Sequence, residues 1–251
     1  MKKVVLVIFA IIASLSIFLS CSEDENLSNK IELNSTSLSL KHDQTFQLQF
    51  SSEEGNIFTF KSSNPLVATV NENGLIKGGA KGETTITVTD NKGGKATCIV
   101  NVYTVIHLFK EPLLNFGCNK ATVKSYETRT ILSEETTSIS YIGENTNLIG
   151  LVYFFENSQY KHATLLVPIE CTLLADFLLE RYAAITYVDD TYGFLDPSKK
   201  IAVLLKLYNS DYWLVGYFEY TSTTQKSDII KKIKEVNNQE KILKAYNKLL
   251  N

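Results

Sequence analysis

The residues able to do chemistry are few in this 251-residue chain, and their spacing does not gather them. His42, His107 and His162 stand far apart, and no HxxxH or CxxC pair sets two ligands one turn apart. A zinc site built from neighbouring ligands is therefore not expected. Neither a GxSxG nucleophile elbow nor a glycine-rich phosphate loop is present. Glu134-Glu135 and Asp189-Asp190 are adjacent carboxylates, but neighbours on a strand point to opposite faces, so neither pair reads as an acid/base couple. Asp90 lacks the ligand spacing of a calcium loop. The remaining feature is aromatic, the segment YNSDYWLVGYFEY at 208–220. On an alternating strand Trp213 and Tyr217 face one way, and Tyr212 and Tyr220 the other. Either set could stack on sugar rings or protein side chains if its face were left bare, or could be core. These four are the candidate binding residues; no catalytic residue, metal ligand or cofactor site is expected.

The totals bound the partners. Hydrophobic residues make up 44% and charged residues 21%, enough for a real core and for one or two domains. Formal net charge is −2, and loss of Lys2 and Lys3 would leave 23 basic against 27 acidic residues, so a nucleic-acid partner is not expected. Lys2 and Lys3 precede an apolar run from Val4 to Leu19, short for a spanning helix and suited to an export signal over 1–20. The run ends at FLSC, with Cys21 followed by Ser22, Glu23, Asp24 and Glu25. This resembles a bacterial lipoprotein lipobox, which implies cleavage before Cys21 and lipid on its thiol. Phe18 and Leu19 depart from the usual Leu and small residue at those positions, and an ordinary secretory peptide shares the other features. The acidic stretch resembles the surface-export tag of Bacteroidetes-type lipoproteins, with 21–30 as a tether. A single lipidated cysteine would hold the protein on a membrane. Cys98, Cys118 and Cys171 are too few and too scattered for a disulfide framework; they read as buried small hydrophobes, with one bridge left open.

Residues 31–103 alternate with period two between turn residues about ten positions apart, the pattern of a β-sandwich. Phe46, Leu48 and Phe50 share a face, as do Thr84, Ile86 and Val88. Pro65 takes the backbone out of any ladder, and Asn73-Gly74 marks a hairpin. The stretch SSNPLVATVNENGLIKGGAKGETTITVT at 62–89 closely resembles the bacterial Ig-like group 2 domain, with Phe60 where that family commonly has Trp. The resemblance implies a sandwich and a structural or adhesive role, with no catalytic residues.

Beyond Val105 the pattern changes. Asn119 is a good N-cap for a short helix carrying Val123 and Tyr126. Leu173, Leu174, Phe177 and Leu178, completed by Tyr182, form a second helical stripe. Strand-like runs follow each helix. The two parts look like copies: Cys118 and Cys171 are 53 residues apart, and the turns Asn157-Ser158 and Asn209-Ser210 are 52 apart. The expectation over 104–222 is an α+β domain. It would hold two tandem units, each a helix and three strands, forming one antiparallel sheet of about six strands with helices on one face and the other face partly free. The architecture is similar to the β-lactamase inhibitor protein type. The segment NFGCNKATVKSYE also resembles an uncharacterised domain of Bacteroidetes lipoproteins, which implies no activity. Residues 223–251 are helical in pattern, with seven lysines from Lys226 onward.

The sequence therefore points to a non-catalytic, lipid-anchored protein of the outer membrane and cell surface, an Ig-like module presenting a binding domain to a protein or glycan. A structural accessory subunit of an outer-membrane complex, or an enzyme whose polar groups converge only in space, are the alternatives.

Overall fold

The computed structural model describes residues 31–51 and 55–221. The expected export signal, Cys21 with its acidic tag, and the expected helical segment 223–251 lie outside the described residues.

Short alternating runs build the first unit: β1 (Glu32–Leu33), β2 (Ser37–Leu40), β3 (Thr45–Gln47), β4 (Phe50–Ser51), β5 (Phe58–Ser62), β6 (Ala68–Val70), β7 (Leu75–Gly78), β8 (Gly82–Asp90) and β9 (Lys95–Val102). They form a four-stranded sheet ordered β2-β9-β8-β5 and a three-stranded sheet ordered β3-β7-β6, with β1 paired to β4. The inward side chains of both sheets, among them Leu48, Ile76, Ile86, Val88, Cys98 and Val100, make one apolar core. The Ser-Ser-Asn-Pro turn has a physical cause. Thr84 Oγ1 is buried and sits 3.2 and 3.0 Å from the Ser62 and Ser63 hydroxyls, and it accepts from Asn64 N at 2.8 Å. Gly74 holds φ at 77°, and a Cβ there would meet Leu48 O at 2.9 Å, so only glycine fits between turn and strand. Phe60 packs on Phe50 with ring centroids 5.4 Å apart.

The second unit is mostly β. After α1 (Lys120–Tyr126) come β10 (Ile131–Glu134), β11 (Ser138–Asn145), β12 (Leu148–Glu156) and β13 (Gln159–Pro168); after α2 (Leu174–Leu179) come β14 (Ala183–Val188), β15 (Thr191–Leu195), β16 (Ile201–Leu207) and β17 (Tyr212–Glu219). All eight strands belong to one antiparallel sheet ordered β10-β11-β12-β13-β17-β16-β15-β14. Each helix is followed by a four-stranded meander, and the two meanders join along their last strands. The expectation of six strands is corrected to eight. The α+β description gives way as well, since the helices span only seven and six residues. β10 escaped notice because Ile131 and Leu132 are adjacent and both exposed on an edge strand, which leaves no alternation to see.

Asn119 caps α1 as expected, its Oδ1 accepting from Thr122 N at 3.0 Å. In α2 the stripe is Leu174, Phe177 and Leu178; Leu173 precedes the helix and is exposed. Both helices and the strap 103–118 pack on one sheet face, where Val123, Leu174 and Phe177 meet Leu151, Tyr153, Leu165, Val215 and Tyr217 in a single core. The opposite face was expected to be partly free. Its central side chains Val152, Leu166 and Ala202 are instead 0% exposed.

The two units touch. Lys81 N donates to Glu180 O at 2.7 Å, Asn64 Nδ2 donates to Pro197 O at 3.1 Å, and Leu66 packs on Leu195, Ala202 and Phe218.

Candidate functional site

Among the described residues no three His, Cys, Asp or Glu side chains gather as a metal site, and no helix is long and apolar enough to cross a membrane. His107 is exposed, His42 Nδ1 lies 3.0 Å from Gly79 O, and His162 stacks against Phe154 and Phe218. Cys98, Cys118 and Cys171 are free thiols, and burial pushes each above the ordinary thiol range. Asp90 closes a turn, its Oδ1 accepting from Lys92 N and Gly94 N. Glu134 pairs with Lys124 at 2.8 Å. Asp189 and Asp190 form the β14–β15 turn, both at positive φ.

The acids that sequence reasoning missed range from buried Glu127 and Glu180 to partly exposed Glu111 and Glu144, and each is engaged by structure. Arg129 and Glu127 have side chains 1% and 0% exposed. Arg129 Nη1 donates to Glu127 Oε1 and Oε2 at 2.8 and 2.6 Å, and its Nε donates to Glu144 Oε2 at 2.5 Å. Its Nη2 reaches Lys110 O, and the Tyr153 hydroxyl donates to Glu127 while accepting from Leu113 N at 2.8 Å. Burial works against both charges. The guanidinium and the Lys110 N–H nevertheless hold Glu144 below the ordinary carboxylate range, and the two carboxylates hold Arg129 above its ordinary value. A second cluster forms around Glu111, which accepts from the Tyr182 and Tyr217 hydroxyls at 2.6 and 3.3 Å and faces Arg181 Nε at 3.3 Å. Buried Glu180 accepts from Val105 N and Ile106 N at 3.0 and 2.9 Å. Both clusters fasten the strap to the sheet. Each of these carboxylates already accepts hydrogen bonds or pairs with a guanidinium from the protein itself.

The aromatic candidates separate. Tyr217 is fully buried, with its hydroxyl on Glu111, and Tyr220 is buried against Leu195, Ala202, Leu204 and Phe218. Both are core side chains, which corrects the expectation of a stacking role for them. Their faces are covered, so alternation alone could not have told platform from core. Trp213 and Tyr212 are half-buried, on opposite faces.

A different aromatic pair is exposed. The two-residue Asp189-Asp190 turn sets Tyr187 directly opposite Tyr192. Their rings lie 4.5 Å apart at 39°, with exposures of 56% and 45%. The Tyr187 hydroxyl donates to Asp190 Oδ1 at 2.9 Å, which fixes the ring and raises its pKa. Register carries the surface inward: Tyr192 pairs with Leu205, and two residues on, exposed Leu207 pairs with Trp213. Tyr187, Tyr192, Leu207 and Trp213 therefore lie on the helix side of the sheet, with Trp213 packed against the edge of its core. The signal was legible in TYVDDTY: a two-residue turn between two tyrosines two positions away on either side.

Residues 29–100 match the family described as bacterial Ig-like domain (group 2). No curated protein matches the chain. Among solved structures, the chain is similar to an intimin–Tir90 complex, at 15% identity over 39% of this chain and 57% of that one, with a TM-score of 0.26. It is similar to an intimin mutant of EHEC O157:H7, at 19% identity over 39% and 61%, with a TM-score of 0.25. A third is SGBP-B of the Bacteroides ovatus mixed-linkage glucan utilization locus, bound to a mixed-linkage heptasaccharide, at 10% identity over 76% and 44%, with a TM-score of 0.26. The chain spans less than two thirds of each of these structures.

Proposed function

We propose that this is a non-catalytic surface-binding protein. The Ig-like module acts as a stalk, and the eight-stranded sheet presents the Tyr187–Tyr192 platform to a glycan or protein partner. The observation that carries the reading is that exposed ring pair, locked by Asp190 and continued by Leu207 and Trp213. Paired tilted rings offer apolar faces to the C–H face of a sugar, and Asp190 and the two hydroxyls offer hydrogen bonds at its rim. The engaged state of Glu111, Glu127 and Glu180 supports a binding rather than a catalytic role. Anchoring in the outer membrane through lipid on Cys21, with export guided by Ser22 to Glu25, belongs to the same reading and rests on the sequence. The test is binding of the soluble protein to a glycan panel and to extracellular matrix proteins, with Tyr187→Ala and Tyr192→Ala as controls. A ligand held equally well by both variants, or no retention by any probe, would remove the platform's role.

A second reading, an accessory subunit of an outer-membrane complex, draws on the other edge of the sheet. There Ile131, Leu132 and Ile142 are exposed on β10 and β11, and among the described residues β10 pairs on one side only, an edge suited to a docking partner. Stoichiometric recovery of one endogenous protein from native membranes, lost in Ile131→Lys, favours it.

A further inference from the structure

The exposed surface that runs from Tyr187 to Trp213 is rimmed by charge of one sign. Three segments meet at this end of the sheet, 165–176, 186–193 and 204–215. They carry Glu170, Asp176, Asp189, Asp190 and Asp211, and a single base, Lys206. Lys206 pairs with Leu214, which belongs to the apolar cluster away from the helices, so its side chain leaves the sheet on the other face from the rings. Glu170, Asp189, Asp190 and Asp211 are exposed. Asp190 Oδ1 accepts from the Tyr187 hydroxyl at 2.9 Å, and Asp211 Oδ1 accepts from Ser210 Oγ at 3.0 Å. Among the described residues none of the four pairs with a Lys, Arg or His.

We infer that the partner of this surface is a protein segment that presents arginine to the ring pair, a reading that rests on the Tyr187–Tyr192 platform being the binding site. The argument is charge complementarity. A guanidinium is planar and weakly hydrated, so it lies flat on an exposed ring while its N–H fork reaches a carboxylate. The Tyr187 hydroxyl holds the Asp190 carboxylate at the edge of the ring pair, which puts both halves of that contact side by side. The protein uses the same pattern internally: Arg181 Cζ lies 3.8 Å from the Phe177 ring centroid while its Nε faces Glu111 at 3.3 Å. Exposed Leu207 and half-buried Trp213 extend the apolar floor for the residues that flank the arginine. A neutral sugar would use the rings and leave the acidic rim unanswered. A basic segment uses both, and the rim steers its approach.

The test is fluorescence polarisation of the soluble protein with three labelled probes: a peptide alternating glycine and arginine, its citrulline counterpart, and a neutral β-glucan oligosaccharide. The arginine peptide should bind at least about tenfold more tightly than the citrulline peptide, and more weakly as salt rises. Asp189→Asn with Asp190→Asn keeps residues suited to the positive φ of that turn and should weaken the arginine peptide at least about fivefold. Tyr187→Ala and Tyr192→Ala should each weaken it to a similar degree. Glu72→Gln with Glu83→Gln removes equal charge from the exposed surface of the Ig-like unit and should leave affinity within about twofold. No binding of the arginine peptide, equal binding of the citrulline peptide, or an equal loss in the Glu72 and Glu83 variant overturns the inference. If the oligosaccharide binds and Tyr187→Ala releases it while the arginine peptide does not bind, the platform stands and its partner is a glycan. If both Tyr variants hold the arginine peptide and the Asp variant releases it, the rings take no part and the platform fails together with the inference.

Discussion

Replacing Arg129 with Met should be among the most damaging single changes in the second unit. Arg129 and Glu127 are both almost wholly buried, at 1% and 0% side-chain exposure. Without the guanidinium, Glu127 keeps the Tyr153 hydroxyl and Glu144 keeps the Lys110 N–H among the described residues. An uncompensated buried charge of this kind costs about 3–5 kcal/mol. For a domain of this size that is roughly 10–20 °C in Tm. Neutralising the orphan should recover part of the loss: Arg129→Met with Glu127→Gln keeps an acceptor for Tyr153 and should be about 1–2 kcal/mol more stable than Arg129→Met alone. Trp213 is the only tryptophan in the chain and lies in β17, so its fluorescence during urea unfolding reports this unit and not the Ig-like one. A loss below about 1 kcal/mol for Arg129→Met, or a double variant no more stable than the single one, would refute the view that this cluster fastens the strap.

Three further outcomes follow from particular groups. Glu144 is held below the ordinary carboxylate range, so its contribution is present above about pH 4.3 and is lost as pH falls through its lower folded value. Urea unfolding from about pH 6 to about pH 2.5 should therefore show a steeper acid loss in the unaltered protein than in Glu144→Gln. Gly74→Ala must place a Cβ 2.9 Å from Leu48 O at a φ of 77° and should cost about 1–3 kcal/mol, read by thermal unfolding of the Ig-like unit. With a thiol reagent under native conditions, half-buried Cys118 should react before Cys98 and Cys171, and all three should become equivalent in denaturant.

The Ig-like unit was legible because its turns state their reasons locally. Asn64-Pro65 and Gly74 fix the backbone, and Thr84, Ile86 and Val88 alternate inward on one strand. Two turns of the second half were legible for the same kind of reason: Asn157-Ser158 and Asn209-Ser210 fall between β12 and β13 and between β16 and β17. The strand count was not, since β10 is an edge strand exposed at Ile131 and Leu132. Nor could alternation decide which aromatics face solvent, because both faces of β17 are apolar and its side chains from Leu214 to Phe218 are all buried. The clusters around Arg129 and Glu111 join residues up to 106 positions apart, Glu111 to Tyr217, and no local pattern announces them. Tyr187 and Tyr192 were within reach, since a two-residue turn sets them opposite; they passed as ordinary strand residues beside an acidic turn.

The most direct test of the account is titration of a ligand found on the glycan or matrix panel against the unaltered protein, Tyr187→Ala, Tyr192→Ala and Leu132→Ala. If the ring pair is the binding platform, each Tyr variant should bind at least about tenfold more weakly, about 1.4 kcal/mol, with unfolding midpoints unchanged, and Leu132→Ala on the far edge should bind as the parent does. Equal affinity across all four proteins, or a loss confined to Leu132→Ala, would contradict it.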